Sequence, residues 1–155
     1  MRPGRRLAVD VGKVRIGIAA TDVHAILASG VATIVRQENL EATVLEICEL
    51  AKDIQPIEIY VGLPVSMSGD FSASTLDAIL IAQKIAAFQT SDVRLIDERL
   101  TTVTASSALR SSGRDSKSGR KIIDQIAATV ILEQALSFEK STGSVPGKPV
   151  EEFDE

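Results

Sequence analysis

The sequence predicts an α/β fold in which a mixed sheet of five strands carries helices on its faces. Three short runs rich in β-branched and small apolar residues open the chain, at 6–10, 15–21 and 29–35. The connections between them are short, which favours antiparallel pairing. Helical and strand patterns then follow in the order helix, strand, helix, strand, helix, helix, which suits a sheet covered by helices.

Length and composition limit the classes of protein to consider. A chain of 155 residues is long enough for one domain with a buried core. It has no apolar run that could span a membrane and no signal-peptide core, so we expect a cytoplasmic protein without membrane contact. The single cysteine, Cys48, and the single histidine, His24, exclude an intramolecular disulfide and argue against zinc sites and a Ser-His-Asp triad. A metal ion would need oxygen ligands, which favours Mg²⁺ or Mn²⁺.

Charge is distributed unevenly along the chain. The net charge is −4, from 17 basic and 21 acidic residues, but four of the last five residues are acidic. The segment 110–121 holds five cations and one acid. We predict that its Ser/Gly-rich part, 111–121, is a mobile loop that binds phosphates. The five cations are Arg110, Arg114, Lys117, Arg120 and Lys121.

A tight turn after Asp10 joins the first two predicted strands. Gly12 in this turn can adopt a positive φ angle, and it allows another backbone or a phosphate to approach closely. A carboxylate at the end of a rigid strand, beside such a turn, suits a metal ion or a phosphate. The same pattern also describes an ordinary hairpin turn, in which the aspartate binds its own backbone.

The middle of the chain predicts two helices and two strands. Asn39 is a typical N-cap, and apolar residues at helical spacing continue from Leu40 to Ile54, shortly before Pro56. The following elements are a strand at 57–62, a helix at 75–87 and a strand at 93–97.

Two adjacent acids, Asp97 and Glu98, end the last of these strands. Alternation along a strand sends their side chains to opposite faces, so only one of them can reach a given site. We expect Glu98 to do so because its side chain is longer. Asp97 would then bind backbone groups of the turn or cap a helix that begins near Thr101. A surface ion pair with Arg99 is the alternative.

The last predicted helix runs from 122 to about 138, with Asp124 in its first turn. Its expected buried stripe comprises Ile123, Ile126, Ala127 and Val130. The helix dipole alone favours an acid at this position. Alternatively, small alanines let the helix pack close to the sheet, so that the Asp124 carboxylate lies beside the strand ends. We expect a single domain, 1–138, and a disordered acidic tail, 139–155, that is dispensable for folding.

Three acids thus stand at ends of predicted core elements: Asp10, Asp97 or Glu98, and Asp124. Carboxylates gathered around two divalent ions are a known arrangement for phosphodiester hydrolysis. One ion activates the attacking water, and the other stabilises the leaving oxygen. The three acids therefore favour a metal-dependent nuclease.

Four motifs, in order along residues 6–137, resemble the YqgF/RuvX family. They are Leu7-Ala8-Val9-Asp10-Val11-Gly12 with Arg15-Ile16-Gly17, Val61-Gly62-Leu63-Pro64, Asp97-Glu98-Arg99-Leu100-Thr101-Thr102 and Ile123-Asp124-Gln125-Ile126-Ala127-Ala128. The resemblance implies a ribonuclease H-like fold related to Holliday-junction resolvases. It also implies a bacterial nuclease that trims the precursor of small-subunit ribosomal RNA, with Asp10, Glu98 and Asp124 as catalytic and metal-binding residues.

Two departures from the family pattern lie close to the predicted site. Val11-Gly12-Lys13-Val14 stands where many relatives have proline, glycine, threonine and lysine, and no further acid follows Asp124 within one turn. True resolvases often have such a fourth acid. We expect Lys13 and Arg15 to contact nucleic acid together with the cations of 110–121.

Other functions are compatible with the same residues. One is a Holliday-junction resolvase acting on branched DNA, and another is a noncatalytic factor that binds RNA or protein. A sugar-kinase- or actin-like ATPase also opens with Asp-x-Gly, but it needs a second domain of comparable size. Structured RNA and branched DNA are both compatible partners, and so is a homodimer.

Overall fold

A six-stranded mixed sheet organises the structure, a computed structural model that describes residues 1–99 and 116–153. Side chains are described for all of these residues except 116–121. The strands are β1 (Arg6–Val11), β2 (Arg15–Thr21), β3 (Ala28–Val35), β4 (Glu58–Leu63), β5 (Asp92–Asp97) and β6 (Lys148–Pro149). Their order across the sheet is β3-β2-β1-β4-β5-β6.

The pairing of the strands confirms the predicted mixed sheet. The first three strands are antiparallel neighbours, and Asp10 of β1 lies opposite Gly17 of β2. Strands β1, β4 and β5 run parallel to one another. Their carboxyl ends therefore meet at one edge of the sheet, where the loops that follow parallel strands commonly form sites.

Three helices cover the sheet: α1 (Leu40–Ile54), α2 (Ala73–Phe88) and α3 (Ser116–Thr142). Helix α1 begins at the predicted cap, since the Asn39 side chain accepts from the N–H groups of Glu41 and Ala42. Ser72 and Thr75 form a reciprocal capping box at the start of α2. Of the helices described, none is both long and apolar enough to cross a membrane.

The two faces of the sheet bury different cores. Helices α1 and α2 cover the larger core, and α3 covers the other face. The predicted stripe of α3 is displaced by one residue, because Ile123, Ile126, Ala127 and Val130 are only partly buried. The buried apolar residues of α3 are Ala128, Ile131, Leu132, Ala135 and Leu136. Asp124 thus shares the sheet-facing side of the helix with Ala128 and Ile131 at spacings of four and seven.

Helix α3 begins six residues earlier than the sequence predicts. Residues 116–121 are helical, so this part of the predicted mobile loop is the start of α3. Lys and Arg favour helices, and a long packed helix tolerates one glycine, which costs about 1 kcal/mol relative to alanine. The predicted helix after Thr101 lies outside the described residues, as do Arg110 and Arg114.

Residues 139–153 form ordered structure where the sequence analysis predicts a disordered tail. Helix α3 continues to Thr142, β6 pairs antiparallel with β5, and a 3-10 turn covers Val150–Phe153. The side chain of Val150 is only 2% exposed within the larger core. Burial of this apolar residue, together with the paired backbone, offsets the polar composition that suggested disorder.

The chain reaches this position through a tight turn at Gly147. Gly147 has a φ angle of +73°, and a Cβ atom there would lie 2.5 Å from the Leu95 carbonyl oxygen. The Arg94 side chain donates to the carbonyl oxygens of Pro146, at 2.5 Å, and Gly147, at 2.8 Å. These contacts fix the segment against β5.

Candidate active site

Asp10 and Glu98 come together at the carboxyl edge of the parallel strands. Asp10 lies near the end of β1, and Glu98 directly follows β5. The backbone N–H of Glu98 donates to the carbonyl oxygen of Leu63 at 3.2 Å, which extends the β4–β5 pairing by one residue. The two carboxyl groups are hydrogen-bonded to each other. Glu98, and not its neighbour Asp97, is the acid that reaches Asp10.

Gly62 has no side chain, and this lets the Glu98 side chain reach Asp10. Strand β4 lies between β1 and β5, so the Glu98 side chain has to cross it. A Cβ atom at Gly62 would lie 2.7 Å from Cδ of Glu98 and 2.6 Å from Cδ1 of Ile131. The sequence analysis recognised the motif that contains Gly62 but did not assign the residue this role, which depends on the order of strands in the sheet.

The acid pair is partly buried, and its two carboxyl groups repel each other when both are ionised. Burial raises the pKa of Asp10 to about 6; the Glu98 hydrogen bond opposes this rise, and the Asp124 charge adds to it. Burial also raises the pKa of Glu98 to about 8, and the charge of Asp10 and their hydrogen bond add to the effect. Two carboxylates this close do not both ionise easily, so near neutral pH the pair holds about one proton.

Asp124 lies on the same side of the sheet and is paired with Arg15. Nε of Arg15 donates to Oδ2 of Asp124 at 2.9 Å. Helix α3 can come this close because Gly17 has no side chain. A Cβ atom at Gly17 would lie only 2.0 Å from the Asp124 carbonyl oxygen. Since Gly17 is the register partner of Asp10, this contact brings Asp124 within electrostatic range of Asp10.

The turn after Asp10 is held by contacts from distant segments. Gly12 donates its N–H to the Arg15 carbonyl at 3.0 Å, and a Cβ atom there would lie 2.5 Å from the same oxygen. Gly12 does not adopt the expected positive φ angle, so the close approach is what requires glycine. Arg36 donates to the Gly12 carbonyl at 3.0 Å and forms an ion pair with Asp77 of α2. Neither Arg36 nor Asp77 carries a local sequence signal for this role.

Asp97 forms hydrogen bonds and an ion pair with Arg99. Its carboxylate accepts from the backbone N–H of Arg99 at 2.9 Å and from the Arg99 guanidinium. Burial acts to raise the pKa of Asp97, but the hydrogen bonds from Arg99 outweigh it and the pKa falls. Asp97 therefore combines the two expected structural roles, binding the backbone of the turn and forming an ion pair.

The remaining predicted residues are placed as follows. Lys13 is exposed in the turn after Asp10, and Arg15 is partly buried against Asp124. The backbones of Lys117, Arg120 and Lys121 belong to the first two turns of α3. His24 is exposed in the connection between β2 and β3, and Cys48 is buried in α1.

The donor set at this edge suits a hard divalent cation. Asp10 and Glu98 supply carboxylate oxygens, the ligands that Mg²⁺ and Mn²⁺ prefer. Across residues 1–99 and 116–153, no three acidic, histidine or cysteine side chains lie close enough together to hold an ion as they stand. Asp124 faces Arg15 in this arrangement.

Comparisons with known proteins give the family and the fold of this chain. The family model described as RuvX, Holliday junction resolvase, matches residues 4–138. A protein of Leifsonia xyli subsp. xyli, provisionally named pre-16S rRNA nuclease, is 48% identical over 151 residues, 97% of each chain. A protein of Streptomyces avermitilis with the same provisional name is 47% identical over 152 residues, again 97% of each chain.

A solved structure of similar fold is that of T. thermophilus RuvC in complex with a Holliday junction substrate. It matches with a TM-score of 0.53 and 14% identity, over 94% of this chain and 99% of the RuvC chain. At this level of identity the likeness concerns the fold. It confirms the ribonuclease H-like architecture, with six strands in place of the predicted five.

Proposed function

The chain belongs to the RuvX (YqgF) family, and we propose that it is a divalent-metal-dependent nuclease that trims the precursor of 16S ribosomal RNA. The observation that carries the proposal is the partly buried, hydrogen-bonded pair of Asp10 and Glu98 at the carboxyl edge of the sheet. The RNA substrate is inferred from relatives that match this chain over 97% of its length.

The catalytic role assigned to the acids follows from their charge. Buried carboxylates that repel one another bind a cation in exchange for a proton, because the cation removes the repulsion. We assign Asp10 and Glu98 as the first ligands, and Asp124 as the third. When bound, divalent ions activate a water for attack on the phosphodiester and stabilise the leaving oxygen.

Arg15 is the internal counter-ion of Asp124. Its guanidinium compensates a carboxylate whose side chain is only 14% exposed. For Asp124 to bind a cation, Arg15 has to release it, and the released guanidinium lies beside the same acids. There it is suited to contact a substrate phosphate, because guanidinium groups bind phosphates with two parallel hydrogen bonds.

The decisive experiment measures cleavage of precursor 16S rRNA in Mg²⁺ or Mn²⁺. Asp10→Asn, Glu98→Gln and Asp124→Asn are each expected to abolish cleavage without unfolding the protein. Asp97→Asn is the matched control, since it changes the neighbouring acid. It should lower the free energy of unfolding by about 1 kcal/mol, the size of one hydrogen bond, and retain cleavage. Full cleavage by Asp10→Asn, or by the native chain in EDTA, contradicts the proposal.

A second candidate substrate is branched DNA. The description of the matching family model and the fold shared with RuvC favour it. A four-way junction added to the same assay tests this directly, and we expect slower cleavage of the junction than of the RNA. A resolvase acts on two strands of a symmetric junction, so the predicted homodimer becomes relevant there. Sedimentation with and without the junction measures it.

A further inference from the structure

A groove at Glu98 adjoins a pocket lined by two aromatic rings. Its first part, about 310 Å³, has Glu98 at one end and continues along Val65 and Arg99. The second part, about 380 Å³, shares Val65 and Arg99 with the first and extends to Phe71 and Phe153. Because the two parts share these walls, they adjoin each other at the carboxyl end of β5.

Phe71 and Phe153 form the wall of this pocket. Their ring centroids are 6.5 Å apart and the planes are inclined by 29°. Phe71, in the loop between β4 and α2, is 52% exposed, so much of its ring surface is open to solvent. The chain has only four phenylalanines, one tyrosine and no tryptophan. Two of these few aromatic rings meet in the pocket that adjoins the groove at Glu98.

The charged residues of the pocket carry a net positive charge. Arg99 and Lys148 line it together with one acid, Asp97. Asp97 is paired with Arg99, and the charge of Lys148 also acts on this carboxylate, so two cations share one acid. Arg99 also donates to the Met67 carbonyl at 3.3 Å and so ties the loop that carries Phe71 to the end of β5.

We propose that this pocket binds an unpaired nucleotide of the substrate strand, adjacent to the phosphate held at the acid pair. An open aromatic ring beside cations is the combination that binds single-stranded nucleic acid, because the base stacks and the phosphate is neutralised. A base inside a duplex is already stacked and paired, so it cannot enter. The inference rests on the proposed nuclease function and adds to it that the substrate has a single-stranded segment beside the cleavage position.

The test measures binding separately from cleavage. The Asp10→Asn chain is titrated with a fluorescent single-stranded RNA oligonucleotide and with a blunt duplex of the same length. Adding Phe71→Leu is expected to weaken single-strand binding about 5- to 100-fold, as for the loss of one stacked base, and to change duplex binding little. Phe71→Tyr keeps the ring and should keep the affinity. Phe88→Leu, a similarly exposed phenylalanine on α2, is the matched control.

Phe153→Leu is a second variant, expected to weaken single-strand binding in the same direction. Equal affinities for all variants, equal losses for the two oligonucleotides, or failure to bind the single strand would overturn the inference. In that case we expect the pocket to bind an apolar peptide segment and not a nucleotide. If the native chain cleaves no substrate but Phe71 still discriminates single strands from duplexes, the nuclease proposal fails and the binding pocket stands.

Discussion

At the scale of single residues, the two carboxyl groups of the acid pair repel each other when both are ionised. Asp10 and Glu98 are both partly buried and hydrogen-bonded to each other. Their pKa values lie above the ordinary values of 3.8 and 4.5 for these side chains. The folded protein therefore retains protons that the unfolded chain releases, and its stability depends on pH.

Without divalent ions, the free energy of unfolding is expected to fall as pH rises from about 4 to about 8. In this range the unfolded chain has lost its protons while the folded pair still holds them, so deprotonation favours unfolding. The fall should be at least about 1.4 kcal/mol, the value of one pKa unit. Thermal unfolding in EDTA measures it.

Two comparisons accompany this measurement. Asp10→Asn should reduce the pH dependence, since it removes one of the two titrating groups. Added Mg²⁺ should raise the melting temperature more at pH 8 than at pH 5.5, because the cation competes with protons. A melting temperature that rises between pH 5 and 8 in EDTA would contradict the pairing.

Gly62→Ala is expected to remove activity while the fold persists. The new methyl group would meet the ends of the Glu98 and Ile131 side chains, which can move aside. Overpacking of this kind costs about 1–3 kcal/mol. Displacement of Glu98 separates it from Asp10, so cleavage should fall much more than stability. Gly30→Ala is the control, because there the methyl group meets only the side chain of Gln125.

Some residues of the candidate site could be predicted from their place in the sequence, whereas others depend on contacts that exist only in the folded protein. Asp10, Asp124 and one of Asp97 and Glu98 could be selected because they stand at the ends of predicted core elements, and the resemblance to the YqgF/RuvX family implied that Glu98 is the third acid of the site. Gly62 and Arg36 act only through the folded arrangement: one clears a path across a strand, and the other braces the Gly12 carbonyl from the end of β3. Such roles have no local sequence pattern.

At the scale of elements, the start of α3 carries the cations that the sequence analysis placed in a loop. Lys117, Arg120 and Lys121 precede Asp124 on the same helix. Their backbone positions therefore belong to the helix that carries Asp124. The Ser72 cap of α2 was not predicted, whereas the strand bounds, within one residue, and the Asn39 cap of α1 followed from alternation and capping residues. The early start of α3 did not, because packing of the later turns stabilises a segment of mixed propensity.

Neutralising these three cations together should weaken nucleic-acid binding and its dependence on salt. Each lost phosphate contact is expected to reduce the slope of log K against log salt by about 0.7–0.9. A triple substitution to glutamine, measured by titration at several salt concentrations, tests this. Lys140→Gln in the last turn of α3 is the control, with no expected change. An unchanged slope in the triple variant would show that these cations do not contact phosphates.

At the scale of the whole molecule, the C-terminal segment is part of the fold. Val150 is buried in the larger core, Phe153 accepts a hydrogen bond from Gln83 at 3.2 Å, and β6 pairs with β5. A polar composition predicted disorder here because composition weighs every residue equally. The buried Val150, the hydrogen bond from Gln83 and the pairing of β6 with β5 together hold the segment against the domain.

Deleting residues 144–155 is expected to lower the free energy of unfolding by about 2–5 kcal/mol. Exposure of a buried apolar side chain accounts for about 1.5–3 kcal/mol, and the lost backbone pairing and ring contact account for the rest. Chemical denaturation measures the change. Glu151→Gln is the control, since Glu151 is exposed. An unchanged midpoint for the deletion would show that the segment contributes nothing to stability.

The amino ends of β1 and β4 hold an ion cluster at the edge opposite the acids. Arg2 binds Glu58 at 2.8 Å and Glu139 at 2.7 Å, and the Tyr60 hydroxyl donates to Glu58 at 2.8 Å. Arg6 is fully buried there, and its Nε atom has no hydrogen-bond partner among the described residues. The cluster joins the N-terminal segment, the sheet and the last turns of α3.

This separation of charges has a practical consequence for protein engineering. Buried ion clusters are often replaced by apolar residues of similar volume without loss of stability, and sometimes with a gain. Here such a cluster lies at the far edge of the sheet from Asp10 and Glu98. A search for heat-resistant variants can therefore begin at Arg6 and its neighbours, which lie away from the edge of the sheet that carries Asp10 and Glu98.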